Sequence, residues 1–180
     1  MGWDRDLFDV LDDLEGEASA RFHAERIPAV LDRSRAEYRQ VTLAGRLMAS
    51  LEHELTVVVD GVGPVNGVLE RMGAEWLFLR GEAQGDWLVR LGAVQEVAGA
   101  SERAVPEMAW SPLTRLGFGS TLRRVADDGG RCLLHVVTGG APREVRIGRV
   151  GGDFVEIGEG FPPRTGLVAF GAIAAVQSRE

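Results

Sequence analysis

The feature that most constrains the fold of this chain is an internal similarity between two of its stretches. The aligned segments, which need no internal gaps, are residues 69–79 with 147–157, residues 88–97 with 167–176, and residues 55–59 with 133–137. Self-similarity of this kind is typical of one structural unit that occurs more than once in a chain. The sequence therefore predicts two copies of one small unit, which together cover most of the 180 residues.

Each copy has the pattern of a short helix followed by five short strands. The strands are rich in β-branched residues and are bounded by glycine, aspartate and proline, which favour turns. Five strands of this length can close into a small barrel and so avoid exposed sheet edges. We therefore predict an α+β protein with an N-terminal helical segment and two tandem five-stranded small β-barrels. The predicted boundaries are an acidic helical segment at 1–42, a first barrel at 43–98, a connector at 99–118 and a second barrel at 119–177.

The N-terminal segment has the periodicity of an amphipathic helix over residues 4–26. Its apolar residues recur every three or four positions, and acidic residues fill the remaining positions. The apolar stripe consists of Leu7, Leu11, Leu14, Ala18 and Phe22. Because a helix of this length depends on packing for its stability, the stripe predicts a contact with a second copy of the chain, as a homodimer, or with the barrel of its own chain.

The end of the second copy resembles a known family. Residues 167–176 read Leu-Val-Ala-Phe-Gly-Ala-Ile-Ala-Ala-Val, and this run resembles the fourth and fifth strands of Sm-like small barrels of the LSm and Hfq type. Residues 148–157 resemble the bent second and third strands of these barrels. The resemblance implies the barrel fold but not the RNA site, because the position of the family's motif arginine holds Leu91 and Phe170, and Asn66 lies outside the motif. The chain also resembles actinobacterial proteins labelled Fis-like regulators, although it has no basic helix-turn-helix.

Composition and spacing argue against several chemistries. All 20 basic residues are arginine, so no lysine is available for a Schiff base or a phosphate-binding loop. The three histidines have no metal-ligand spacing, and Cys132 is the only cysteine. We therefore predict no catalytic, cofactor-binding or metal-binding residues and no enzymatic activity. No apolar run approaches the roughly 18 residues of a membrane span, and the N-terminus lacks the pattern of a secretion signal, so the predicted location is the cytoplasm.

Two sets of residues are candidates for binding a macromolecule. Phe78 and Trp87 are apolar where the second copy has Glu156 and Gly166, so either the two copies pack together there or that face meets a partner. With the helical stripe, these residues predict a scaffold or regulatory protein whose partner is itself or another protein. The alternative is a nucleic-acid-associated regulator that uses the arginines of the second copy. These are Arg123, Arg124, Arg143, Arg146 and Arg149, although the net charge of −7 opposes phosphate binding.

One further prediction concerns His135. It alternates with the apolar residues Leu134 and Val136, which places it on the opposite face of a strand from them. We expect His135 to lie on the surface of the sheet.

Overall fold

The second of two units in the chain, Leu43–Glu180, consists mostly of antiparallel β-strands in the computed structural model. The structure describes residues 38–81, 85–129, 131–160 and 164–179. The first unit, Met1–Thr42, lies almost wholly outside this range. The predicted N-terminal helix and its stripe, with Leu7, Leu11, Leu14 and Phe22, fall outside the described residues, so the predicted helix contact stays a prediction.

Ten strands and two α-helices make up the regular structure of the described residues. The helices are α1 (Leu43–Met48) and α2 (Phe118–Asp127). The strands of the first half are β1 (Glu54–Val59), β2 (Gly63–Met72), β3 (Trp76–Arg80), β4 (Trp87–Arg90) and β5 (Val94–Ala98). The strands of the second half are β6 (Arg131–Val136), β7 (Arg143–Val150), β8 (Phe154–Glu159), β9 (Arg164–Ala169) and β10 (Ile173–Ser178). A 3₁₀ turn joins the last two strands of each half, at Leu91–Ala93 and Phe170–Ala172.

All ten strands belong to one sheet with the order β5-β1-β2-β3-β4-β10-β6-β7-β8-β9. Within each half the fifth strand lies beside the first, and the second, third and fourth follow in order. The two halves meet where β4 pairs antiparallel with β10. We call this joint the seam. The strands β5 and β9 are the two ends of the described sheet.

The predicted tandem barrels are wrong, and with them the α+β class and the Sm-like fold. Closing either half would require its fourth strand to pair with its own fifth strand, but β4 pairs with β10 and β9 ends the order. The sheet is open, and α2, with 10 residues, is the longest helix in the described part of the chain. The barrel prediction failed because backbone hydrogen bonds do not distinguish one strand edge from another. The neighbour of an edge is selected by side-chain packing across both halves.

Alternating apolar residues place one face of each half over its own hydrophobic core. In β2, for example, Val65 and Leu69 are buried while Asn66 and Val68 between them are exposed, as the two-residue period of a strand requires. The first core includes Leu47 from α1 and Leu79 from β3. The second core includes the helix residues Phe118 and Leu122, and strand residues such as Leu134, Ile147 and Ile157.

Candidate interaction site at the seam and the sheet edges

The seam buries both faces of the two strands that form it. Its register pairs Val89 with Ala175, Leu88 with Val176 and Trp87 with Gln177. Trp87 and Val89 pack in the first core, whereas Leu88, which points to the other face, packs in the second core. In the opposite direction, Ala174 and Ala175 of β10 pack in the first core. Each half thus completes its core with side chains of the other half.

A guanidinium group fastens one end of the seam. Arg90, at the end of β4, donates from Nε to the carbonyl oxygen of Ile173 at 2.8 Å and from Nη2 to that of Gly171 at 3.1 Å. Hydrogen bonds with a charged donor are stronger than those between neutral groups. Arg90 therefore fixes the position of the 3₁₀ turn Phe170–Ala172 relative to β4.

An aromatic and polar cluster lies at the other end of the seam. The rings of Trp87 and His135 have centroids 5.0 Å apart, and His135 Nε2 donates to Gln177 Oε1 at 3.0 Å. Burial lowers the pKa of His135, and the hydrogen bond to Gln177 offsets part of that decrease. His135 is only 9% exposed, so its predicted place on the sheet surface is wrong. The residue faces away from its neighbours, as predicted, but the ring of Trp87 packs against its side chain.

The two apolar strand residues that differ between the copies lie between the halves. Trp87 is 4% exposed and packs in the first core, and Phe78 is half-buried against the second core. Of the alternatives that the sequence left open, contact between the two halves accounts for the position of both side chains. Leu88, Ala174 and Ala175 also form the seam, and they were not among the residues predicted to bind a partner. The replacement of Gln95-Glu96 by Ala174-Ala175 was the available signal, because a small apolar pair suits a strand that is covered on both faces.

The outer strands β9 and β5 are the counterparts of β4 and β10, the two strands of the seam. Unlike those strands, each of them has one edge without a neighbouring strand in the described chain. In the alignment of the two copies, Leu167 of β9 corresponds to Leu88, and Glu96 of β5 corresponds to Ala175. Leu167 is 67% exposed and Leu88 is 4% exposed. The same residue type in equivalent strands is therefore buried where an edge is paired and exposed where it is not.

Glutamates neutralise several arginines of the second half. Arg143 forms a two-point ion pair with Glu159, with distances of 3.3 and 2.5 Å, and the same contact holds the pKa of Glu159 below its ordinary value. Arg149 forms a similar pair with Glu156 at 3.0 and 2.9 Å. Two-point pairing of this type fixes the guanidinium plane on a carboxylate. These arginines are therefore not free cations.

Of the other arginines of the proposed nucleic-acid set, Arg146 shares a cleft with Arg143. Arg123 donates to the carbonyl oxygen of Gly151 at 3.4 Å, and Arg124 and Arg146 are exposed. Arg146 and Arg143 line a cleft of about 880 Å³, which also contains Arg131, Glu144 and Glu159. Arg131 lies 3.2 Å from Glu144, whose pKa is lowered by its hydrogen bonds to Arg131 and Arg179. The cleft therefore combines both signs of charge.

The residues with metal-binding or nucleophilic potential are separated. His53 is exposed and its Nδ1 lies 2.9 Å from the carbonyl oxygen of Leu51, while Cys132 is buried in the second core. Burial raises the pKa of the Cys132 thiol to about 11, so the nucleophilic thiolate is scarce near neutral pH. No group of three or more histidine, cysteine or acidic side chains in the described segments has the geometry of a metal site. His23 lies outside these segments.

Comparison with known proteins does not assign this chain to a family. In the described part of the chain, no helix has both the length and the apolar character needed to cross a membrane. Comparison of the chain with models of protein families, with curated proteins and with solved structures gives no match. The resemblances to Sm-like proteins and to Fis-like regulators are therefore unsupported.

Proposed function

We propose that this chain is a non-enzymatic, cytoplasmic scaffold or regulatory protein that binds protein partners by adding a strand to the β9 edge of its sheet. The observation that carries the proposal is the exposure of Leu167, which is 67%, against 4% for its counterpart Leu88 at the seam. In the described part of the chain β9 has no further neighbouring strand, and its exposed leucine and free backbone groups provide both parts of such a contact. The backbone groups of the edge supply affinity, and the side-chain positions supply specificity.

At the seam, two strands of the chain already pair in the way that strand addition requires. There, an edge of the first half pairs with a strand of the second half, and side chains of each reach the other's core. Burying an apolar side chain as large as leucine contributes about 1.5–3 kcal/mol. A partner strand on β9 would give Leu167 the burial that Leu88 already has.

The charge distribution favours a protein partner over a nucleic acid. The chain has a net charge of −7, and Arg143 and Arg149 are each paired with a glutamate. Phosphate binding depends on free cations and weakens steeply as salt increases. Titration with generic RNA and DNA at two salt concentrations separates the alternatives. Sub-micromolar affinity that decreases steeply with salt and is lost in an Arg146→Ala, Arg149→Ala double variant would favour the nucleic-acid function.

Affinity isolation from a native lysate, with three baits, tests the proposed function. The baits are the wild type, Leu167→Glu and the matched control Met108→Glu, in which the same charge replaces a 97% exposed apolar residue away from the strands. We expect nuclease-resistant protein association that Leu167→Glu abolishes and Met108→Glu preserves. Associations that are equal in all three baits, or that disappear with nuclease, would contradict the proposal.

A further inference from the structure

The two outer edges of the sheet differ in how well they can accept another strand. The strand β5 exposes Gln95 and Glu96. At the seam the corresponding residues are Ala174 and Ala175, which are fully buried. A strand docked on β5 in the manner of the seam would bury the Glu96 carboxylate without a partner, which is costly. Charged residues are a usual protection of an edge strand against pairing.

The strand β9 has little of this protection. It pairs with β8 through six consecutive residue pairs, from Phe154–Ala169 to Glu159–Arg164, without a register shift. Its one charged residue, Arg164, is the first residue of the strand. Thr165 and Ala169, on the same face as Leu167, are small and exposed. A regular edge with an exposed leucine and few charges is a template for strand addition.

The differences between the outer strands and the seam also exclude a head-to-tail chain of molecules, in which each molecule would join the next as the two halves join at the seam. Such a chain would place β5 of one molecule on β9 of the next, with Glu96 in the position of the buried Ala175. It would also lack the clamp at the end of the seam, because Ala169 occupies the position of Arg90 in the second half. Among the described strands, each molecule therefore has one edge that accepts a strand. A single self-complementary edge produces a closed dimer with two-fold symmetry rather than a filament.

Resting on the proposed function, we propose that the occupant of this edge is a second copy of the chain, with the two β9 strands antiparallel and the two Leu167 side chains facing each other across the two-fold axis. Centring the pairing on Leu167 places Thr165 opposite Ala169 and Gly166 opposite Val168. Centring it on Gly166 would instead place the charged Arg164 opposite the buried Val168. Directly opposite residues in antiparallel strands have Cβ atoms about 4.5–5.5 Å apart, so the two leucines are in contact.

Sedimentation of the full chain over a range of concentrations, with the same leucine and methionine variants, tests this dimer. We expect the wild type and Met108→Glu to dimerise with the same dissociation constant. In Leu167→Glu two carboxylates replace the facing leucines, which should raise the dissociation constant at least tenfold. Circular dichroism of each variant should match the wild type, because Leu167 lies outside both cores.

A symmetric cross-link tests the register independently of stability. In Leu167→Cys the two new thiols face each other, so oxidation should produce a disulfide-linked dimer, whereas Met108→Cys should not. The natural Cys132 contributes little background because it is 3% exposed. A wild type that stays monomeric, a dimer that tolerates Leu167→Glu, a dimer broken by Glu96→Arg, or a failure of Leu167→Cys to cross-link would each overturn the proposal. Leu167-dependent capture of a protein by a monomeric wild type would overturn the dimer alone and leave the proposed function standing.

Discussion

Replacing Leu88 by alanine tests the shared core at the seam, and Leu167→Ala is its matched control. The two leucines occupy corresponding positions in β4 and β9, but Leu88 is 4% exposed and Leu167 is 67% exposed. Truncating leucine to alanine removes three carbon atoms, each worth roughly 0.8 kcal/mol when buried. For Leu88 the transfer contribution is therefore about 2.4 kcal/mol, and the cavity left in the second core brings the expected loss to about 3–4 kcal/mol. For Leu167, with about one third of its surface buried and no cavity formed, the expected loss is about 0.8 kcal/mol.

Urea unfolding monitored by circular dichroism measures both losses as differences in the free energy of unfolding. The measurement is made at concentrations where the wild type sediments as a monomer, so that any dimer contact of Leu167 does not contribute. An unchanged dependence on urea would show that the two halves still unfold together. Equal losses for the two variants, or a loss below about 1 kcal/mol for Leu88→Ala, would refute the inference that Leu88 of the first half completes the second core.

Three further predictions concern single buried or constrained residues. Burial lowers the pKa of His135 from its ordinary value of 6.5, so the unfolded chain binds more protons just below that pH, and stability should decrease as the pH falls below 6.5. His135→Gln should reduce this slope in urea titrations, and an unchanged slope would contradict the assignment. Gly61 has a φ of +70°, and a Cβ atom at this position would lie 2.3 Å from the carbonyl oxygen of Val136. Gly61→Ala should therefore lower the free energy of unfolding by more than the roughly 1–2 kcal/mol that a left-handed backbone alone costs. Gly63 has a φ of +97° and open space around it, so Gly63→Ala should lower the free energy of unfolding by only that amount. Cys132, with its pKa raised to about 11, should react with a thiol reagent at pH 8 only after unfolding, and native-state labelling at the rate of a free thiol would disprove its burial.

Much of the strand pattern could be predicted from residue alternation and turn chemistry. The aligned segments 69–79 and 147–157, which we predicted to lie in strands, correspond to parts of β2 and β3 and to parts of β7 and β8. The short helix predicted at the start of the second copy corresponds to α2. These features depend on near neighbours in the chain, since a two-residue period selects the buried face and glycine permits the turn.

The candidate site was less predictable because it depends on which strands become neighbours. Trp87 and Phe78 were recognised as unusual for their position, but their role at the seam required the pairing of β4 with β10. The exposure of Leu167 was not predicted from the sequence, because an apolar residue in a strand is ordinarily buried. Leu167 is exposed because β9 lies at the edge of the described sheet, and no local sequence pattern encodes that position.

The sequence by itself determined where the strands of the sheet lie, where they turn and which of their faces is apolar, because these properties are set within a few residues. Tertiary structure decided that the two halves join into one open sheet rather than close separately. The physical reason is that every strand edge offers the same backbone donors and acceptors, so the choice of neighbour depends on side chains far apart in the chain. Leu88 packs in the second core, and Ala174 and Ala175 pack in the first. Glu96 makes β5 unsuited to the buried position that β10 takes at the seam.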